Sequence, residues 1–278
     1  MAEEVREEKM KGKIGFIGGG MMASAIVAGL TERMGCDPDL IFVSDLSEER
    51  CAFLRDTYHV HASVGADGFI SNIDTLILAV KPQAVQAAMR EVAPKTPEKT
   101  VVASIVAGLT LASLEAHFTK QPIVRIMPNT PLSVGAGMSA YALNEKAERA
   151  DVQIVEEILS ACGRAVKVQE PMMNAVTGLS GSGPAYGFLM IDAMSDGGVM
   201  AGLPRETATL LAAQTMLGAA QMVLATGKHP DVLRDQVTSP AGTTIAGVRV
   251  MENKGVRGAL IDAVLAATER SEELGKTK

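Results

Sequence analysis

Ile14-Gly15-Phe16-Ile17-Gly18-Gly19-Gly20-Met21-Met22-Ala23 is the stretch that decides the fold. An apolar strand runs into a G-x-G-x-x-A turn, and the residues beyond it, Ala23 to Arg33, carry the apolar spacing of a helix. Gly18 permits the tight turn, Gly20 lets a backbone approach a pyrophosphate, and Ala23 lets the helix pack close to the strand. Phosphates would rest on the helix N-terminus, whose N–H groups and dipole favour anions. Ile17, Gly18, Gly19, Gly20, Met21 and Met22 are therefore the first candidate residues of a dinucleotide site.

Outward from this turn, Lys13 to Ile17, Leu40 to Ser44, Thr75 to Ala79, Thr100 to Val106, Ile123 to Ile126 and Gly137 to Ala142 read as strands. Ala23 to Arg33, Glu48 to Tyr58, Gln83 to Val92, Leu111 to Phe118 and Lys146 to Cys162 alternate with them as helices. Such alternation predicts a parallel, doubly wound sheet of Rossmann type with helices on its faces. From about Pro171 the strand signals stop, and helical patterns punctuated by Gly183-Pro184, Gly202-Leu203-Pro204, His229-Pro230 and Ser239-Pro240-Ala241-Gly242 follow. The expected domains are an N-terminal extension over residues 1–12, a dinucleotide-binding domain over 13–170 and an all-α domain over 171–278. The last is rich in Ala, Gly and Met, and about a hundred residues can hardly bury so much apolar helix alone. A homodimer through this domain, or a higher oligomer of dimers, follows as an expectation beside a single-chain bundle packed on the first domain.

Composition removes several classes of function. Net charge is -6 with no basic stretch, so nothing points to nucleic acid. Cys36, Cys51 and Cys162 are widely spaced, and the four His lack metal-ligand spacing, so neither a disulfide framework nor a metal site is predicted. His59 and His61 read as a surface pair. The charged N-terminus lacks the apolar core of a signal peptide, which together with the cysteines points to the cytoplasm. Ala208 to Gly227 is long and apolar enough to span a membrane. A helix apolar all round is equally what an interface helix looks like, and Arg205 and Glu206 before it favour that reading over the membrane.

Further site candidates come from strand ends, because ligands of open α/β sheets bind outside the carboxyl ends of the strands. Asp45 ends the second strand, 25 residues after Gly20, where a carboxylate accepts hydrogen bonds from a ribose in NAD sites; it is also placed to cap the following helix, as are Ser44 and Ser47. Ala79, Val80, Lys81 and Pro82, and then Ala107 and Gly108, should border the cofactor, although a lone Lys is commonly only a solvated loop residue.

Five segments carry a resemblance to the pyrroline-5-carboxylate reductases, over nearly the whole chain after residue 12: Gly15 to Met21, Ala79 to Pro82, Met127-Pro128-Asn129-Thr130-Pro131, Ala175 to Tyr186, and Val237-Thr238-Ser239-Pro240-Ala241-Gly242-Thr243-Thr244. The last looks like that family's signature loop and helix start. The resemblance implies hydride transfer from NADPH or NADH to the C=N bond of 1-pyrroline-5-carboxylate, giving L-proline, the last step of proline biosynthesis, with no metal and no covalent intermediate. It implies that the Thr244 hydroxyl bonds the ring nitrogen, making Thr244 the catalytic candidate, and that Gly242 and Thr243 hold the carboxylate, with Ser239 beside them. Hydroxyls and N–H groups at a helix start can hold a carboxylate without Arg, though Ser and Thr after Pro would also make a plain helix cap. An interlocked dimer is implied too, with Asn129 and Glu170 toward the nicotinamide. One departure is Val64-Gly65-Ala66-Asp67-Gly68, where the family often has an Asn toward the adenosine. Other two-domain dehydrogenases commonly use a Lys in the helical half, and from Pro171 to Gln236 the only Lys is Lys228. A non-catalytic dinucleotide-binding regulator would not need the Ser239 to Thr244 loop.

Overall fold

The computed structural model describes residues 12–276; the expected extension over 1–12 lies, apart from Gly12, outside the described residues. Strands β1 (Ile14–Ile17), β2 (Ile41–Asp45), β3 (His61–Val64), β4 (Thr75–Leu78), β5 (Val101–Ser104), β6 (Ile123–Met127), β7 (Gly137–Leu143) and β8 (Gly163–Lys167) form one sheet in the order β3-β2-β1-β4-β5-β6-β7-β8. Every pairing is parallel except β6 with β7. The reason lies in the connection: residues 128–136 are too few for a crossover, which takes a dozen or more, so the chain must reverse.

β1, β4 and β5 are buried along their whole length, as strands covered on both faces must be. Successive side chains divide between two cores. Ile14, Phe16 and Ile77 join Val43, Leu30 and Leu54 on one face, while Ile17, Leu76 and Leu78 join Val102, Phe118 and Ile123 on the other. The reading from sequence missed β3 and β8 because both lack an apolar run: only Ala62 of His-Ala-Ser-Val is buried, and Arg164, Val166 and Lys167 of β8 are exposed. Edge strands that show polar residues to water carry no such signal.

The helices are α1 (Met21–Ala28), α2 (Glu48–Tyr58), α3 (Val85–Val92), α4 (Leu111–Glu115), α5 (Arg149–Ser160), α6 (Met173–Val176), α7 (Gly183–Met200), α8 (Arg205–Thr226), α9 (Pro230–Gln236), α10 (Thr243–Asn253) and α11 (Val256–Lys276). The expected helix from Ala23 to Arg33 is α1 followed by a π turn over Gly29–Arg33.

Two compact units emerge: Ser182–Ala267, and the rest, which comprises the chain up to Gly181 with the stretch from Thr268 onward. This division falls about a dozen residues after the change of composition near Glu170. Residues 173–181 are held by the sheet, since Met173 is buried in its core, Gly181 backs onto Met127, and the Asn129 amide donates to Ser180 O at 3.1 Å. At the other end Ser271 Oγ donates to Asn174 Oδ1 at 2.9 Å.

The helical unit has few buried side chains of its own. Ser195, Ala208, Ala212 and Leu233 are buried, while Leu210, Leu211, Leu217, Met222 and Leu224 stand exposed along α8. That helix is long and apolar enough to cross a membrane by length and composition. In this chain it packs on α7, where a side chain at Gly198 would meet Ala208 Cβ at 3.0 Å, so small residues set how closely the two helices approach.

Candidate active site

Because β2, β1, β4, β5 and β6 are neighbours and parallel, their carboxyl ends share one edge of the sheet. Strand order reverses direction between β1 and β4, the switch point at which doubly wound sheets bind ligands. That edge collects Gly18 to Met22 after β1, Asp45 at the end of β2, Ala79 to Pro82 after β4, Ala107 and Gly108 after β5, and Asn129 after β6.

Gly18 has φ +96°, and a Cβ there would stand 2.7 Å from Ala79 O, so the turn passes against the end of β4 with no room for a side chain. Gly20 is the opposite case. It caps α1 with extended backbone and no side-chain hydrogen bond, and nothing lies within 4 Å of the position a Cβ would take. Open space over an uncapped helix start is the shape a pyrophosphate requires. Ile17 is buried beneath the turn, Met22 is half-buried and Met21 is exposed.

Asp45 does not cap α2. Ser47 does, its Oγ accepting the Arg50 N–H at 3.2 Å. Asp45 Oδ2 instead accepts the Gly19 N–H at 2.8 Å, and Oδ1 accepts the Ser47 N–H at 3.0 Å. Arg50, which the sequence did not single out, donates from Nε to Gly19 O at 2.5 Å and from its terminal nitrogen to Ser24 Oγ, and it lies over the Phe53 ring at 4.6 Å. Beside them burial pushes the Cys51 thiol up.

After β4 the chain turns at once, with Lys81 O accepting the Ala84 N–H at 2.9 Å; Ala79, Val80 and Pro82 are half-buried and Lys81 is exposed. Ala107 is exposed and Gly108 has φ +75° in the turn after β5. Asn129 spends both ends of its amide on backbone, accepting from Met138 N at 2.8 Å and donating to Ser180 O. Glu170 Oε1 accepts from Leu111 N at 2.7 Å and from Arg125 at 2.8 Å. Both are thus anchors of the chain around this edge. Arg125 was overlooked although it had a signal, a lone cation inside the apolar strand Ile-Val-Arg-Ile-Met.

The helical unit holds the second group of candidates. α10 begins at Thr243 with Gly242 as its N-cap, and no side chain caps its first turn. Ser239 and Thr243 are exposed, and Gly242 and Thr244 half-buried. Ser239 O accepts the Gly242 N–H at 3.1 Å, and a side chain at Gly242 would collide with Ser239 Oγ. Between them Ala241 takes φ +56°, the left-handed region. Ser239 and Thr243 therefore do not serve as the plain cap, and the first turn of α10 is left without a side-chain acceptor for its N–H groups.

Residues 170–274 match the family described as pyrroline-5-carboxylate reductase dimerisation, and residues 13–108 the family described as NADP oxidoreductase, coenzyme F420-dependent. The chain is 46% identical over 264 residues to the pyrroline-5-carboxylate reductase of Synechocystis sp., covering 95% of this chain and 98% of the relative. With that of Escherichia coli it shares 41% over 269 residues, 96% of this chain and all of the other. The solved pyrroline-5-carboxylate reductase of Coxiella burnetii superposes with a TM-score of 0.89 at 38% identity, covering 95% of this chain and 99% of that one. The Plasmodium falciparum pyrroline carboxylate reductase, solved with NADP bound, superposes with a TM-score of 0.85 at 29% identity over 96% of this chain and all of that one. With near-complete coverage of relatives above 40% identity, the glycine turn in one unit and the Ser239 to Thr244 loop in the other both included, this chain belongs to the pyrroline-5-carboxylate reductase family.

Proposed function

We propose that the protein reduces 1-pyrroline-5-carboxylate to L-proline with NADPH or NADH as hydride donor. The observation that carries the reading is the start of α10: on a chain matched over 95% of its length by a member of this family, the signature loop leads into a helix whose first turn no side chain caps. The glycine turn fits the cofactor, since Gly20 leaves open the space a pyrophosphate needs and α1 begins uncapped. Ile17 to Met22, Asp45, Ala79 to Pro82, Ala107 and Gly108 would hold the dinucleotide. Asn129 and Glu170 would shape its nicotinamide end through the backbone they anchor. When bound, the reduced nicotinamide supplies the hydride.

The chain's own part is to bind, orient and polarise. Backbone N–H groups at the start of α10, that of Thr243 first, with the Ser239 hydroxyl, hold the substrate carboxylate, while Gly242, whose own N–H donates to Ser239 O, leaves room for the Ser239 hydroxyl. Hydride addition to the imine carbon breaks the C=N π bond and leaves its electron pair on nitrogen, which takes a proton from water. The Thr244 hydroxyl meets that nitrogen with a hydrogen bond as its charge changes. No covalent intermediate is needed, and holding the reacting carbons in near-attack geometry lowers the entropic barrier by as much as about 7–11 kcal/mol. The exposed apolar residues of α7 and α8 form the interface of a homodimer, which agrees with the dimerisation family matched by this region. Cysteines without a paired spacing suit a cytoplasmic enzyme.

Absorbance loss of NADPH or NADH on adding racemic pyrroline-5-carboxylate tests the reaction. Thr244→Ala should lower kcat about a hundredfold or more while leaving dinucleotide affinity unchanged. Full turnover by that variant would remove Thr244 from its role, and no oxidation of either dinucleotide by the wild type would remove the substrate.

A further inference from the structure

We infer that Asp45 makes this protein prefer NADH to NADPH; the inference rests on the dinucleotide reading above. A carboxylate at the end of β2 can serve the following helix or a ligand, and Ser47 already serves the helix. Asp45 is instead built into the wall of the glycine turn, with Oδ2 on the Gly19 N–H at 2.8 Å and Oδ1 on the Ser47 N–H at 3.0 Å. An ionised carboxylate offers about four lone-pair sites, so each oxygen keeps one for the neighbouring hydroxyls of an adenosine ribose. Held on two sides, it cannot swing away from whatever occupies the ribose 2′ position.

A 2′-phosphate at that position would bring close to two negative charges against Asp45. The first turn of α2 adds the exposed carboxylate of Glu49, Glu48 being paired with Arg55. The cations of α2 that could offset it have other work. Arg50 is hydrogen-bonded to Gly19 O and Ser24 Oγ and stacked on Phe53, and Arg55 is engaged by Glu48 and Ala62 O. Arg50 thus spends two of its five N–H donors on the glycine turn, and these bonds with the Phe53 ring fix where the remaining donors lie. The preference inferred is thus the reverse of the NADP carried by the Plasmodium relative.

Calorimetric titration of the full-length protein with NADH and with NADPH reads the preference without turnover, and kcat/KM for the two donors reads it again. The wild type should bind NADH at least about tenfold tighter, as a like-charge contact at the ribose demands. Asp45→Ser and the near-isosteric Asp45→Asn should each narrow or invert that ratio, mainly by gaining NADPH affinity. Equal or tighter NADPH binding by the wild type overturns the inference and needs no variant to fold. An unchanged ratio in both variants also overturns it, as does a selective loss of NADPH affinity in Arg50→Ala, which would mean that Arg50 receives the phosphate. Binding of neither dinucleotide would instead defeat the cofactor reading itself, and the preference with it.

Discussion

Gly18 and Gly20 lie two residues apart in one turn, yet the structure assigns them separable costs on substitution by Ala. At Gly18 the φ of +96° forces an L-residue into strained backbone, and the new Cβ would stand 2.7 Å from Ala79 O and 3.0 Å from Val80 Cγ1. Strain of this kind costs about 1–3 kcal/mol, and displacing the end of β4 adds to it, so Gly18→Ala should destabilise by roughly 2–4 kcal/mol. At about 2–4 °C per kcal/mol, that lowers the melting temperature by ~5–15 °C. Gly20 has φ −65° and ψ −174°, which Ala adopts freely, and no atom within 4 Å of the added methyl. Ala is a poorer N-cap than Gly by under about 1 kcal/mol, and it loses less chain entropy on folding by a similar amount, so the net change should stay within ~1 kcal/mol. Its methyl would stand where the pyrophosphate approaches, and NADH affinity should fall about tenfold or more. Thermal melts of both variants, with calorimetric NADH titration of Gly20→Ala, test the pair. The reasoning is refuted if Gly20→Ala binds NADH like the wild type, or if it melts as early as Gly18→Ala.

Ala241 sits in the Ser239 to Thr244 loop at φ +56°, so Ala241→Gly should relieve up to about 1 kcal/mol of strain and raise the melting temperature by ~2–4 °C; an unchanged or lower value would argue against the left-handed loop. Burial, and then the hydrogen bond to Glu156, push the Tyr141 phenol up to about 12 from its ordinary 10.0. The native state therefore holds a proton that the unfolded chain releases between pH 10 and 12, and Tyr141 contributes stability present below about pH 10 and lost as pH rises toward 12. Urea unfolding from pH 8 to 11 should show a steeper alkaline loss in the wild type than in Tyr141→Phe, and equal slopes would refute the assignment.

The sheet was legible where its strands are covered on both faces. β1, β4 and β5 announce themselves as short apolar runs, whereas β3 and β8 face water and look like loops. The antiparallel β7 has ordinary strand residues, and only the length of its connection to β6 reverses it. The glycine turn and the Ser239 to Thr244 loop were both visible because each needs particular residue types at fixed spacing: small residues where backbone or phosphate approaches, hydroxyls where a helix begins.

What the amino-acid sequence determined by itself was therefore the alternation of the buried strands with their helices, the change to an all-helical second part and the chemical character of each candidate group, since these depend on local pattern. Which partner each polar group takes was decided only by tertiary structure. Asp45, Ser44 and Ser47 were equal candidates to cap α2, and the fold gave the cap to Ser47 by turning Asp45 toward Gly19, 26 residues away. Glu170 found Arg125 across 45 residues, and Asn129 found Ser180 across 51. Such contacts join residues far apart in the chain, and no periodicity or spacing encodes them; they exist because parallel strands bring their carboxyl ends to one edge and the chain must satisfy its polar groups there.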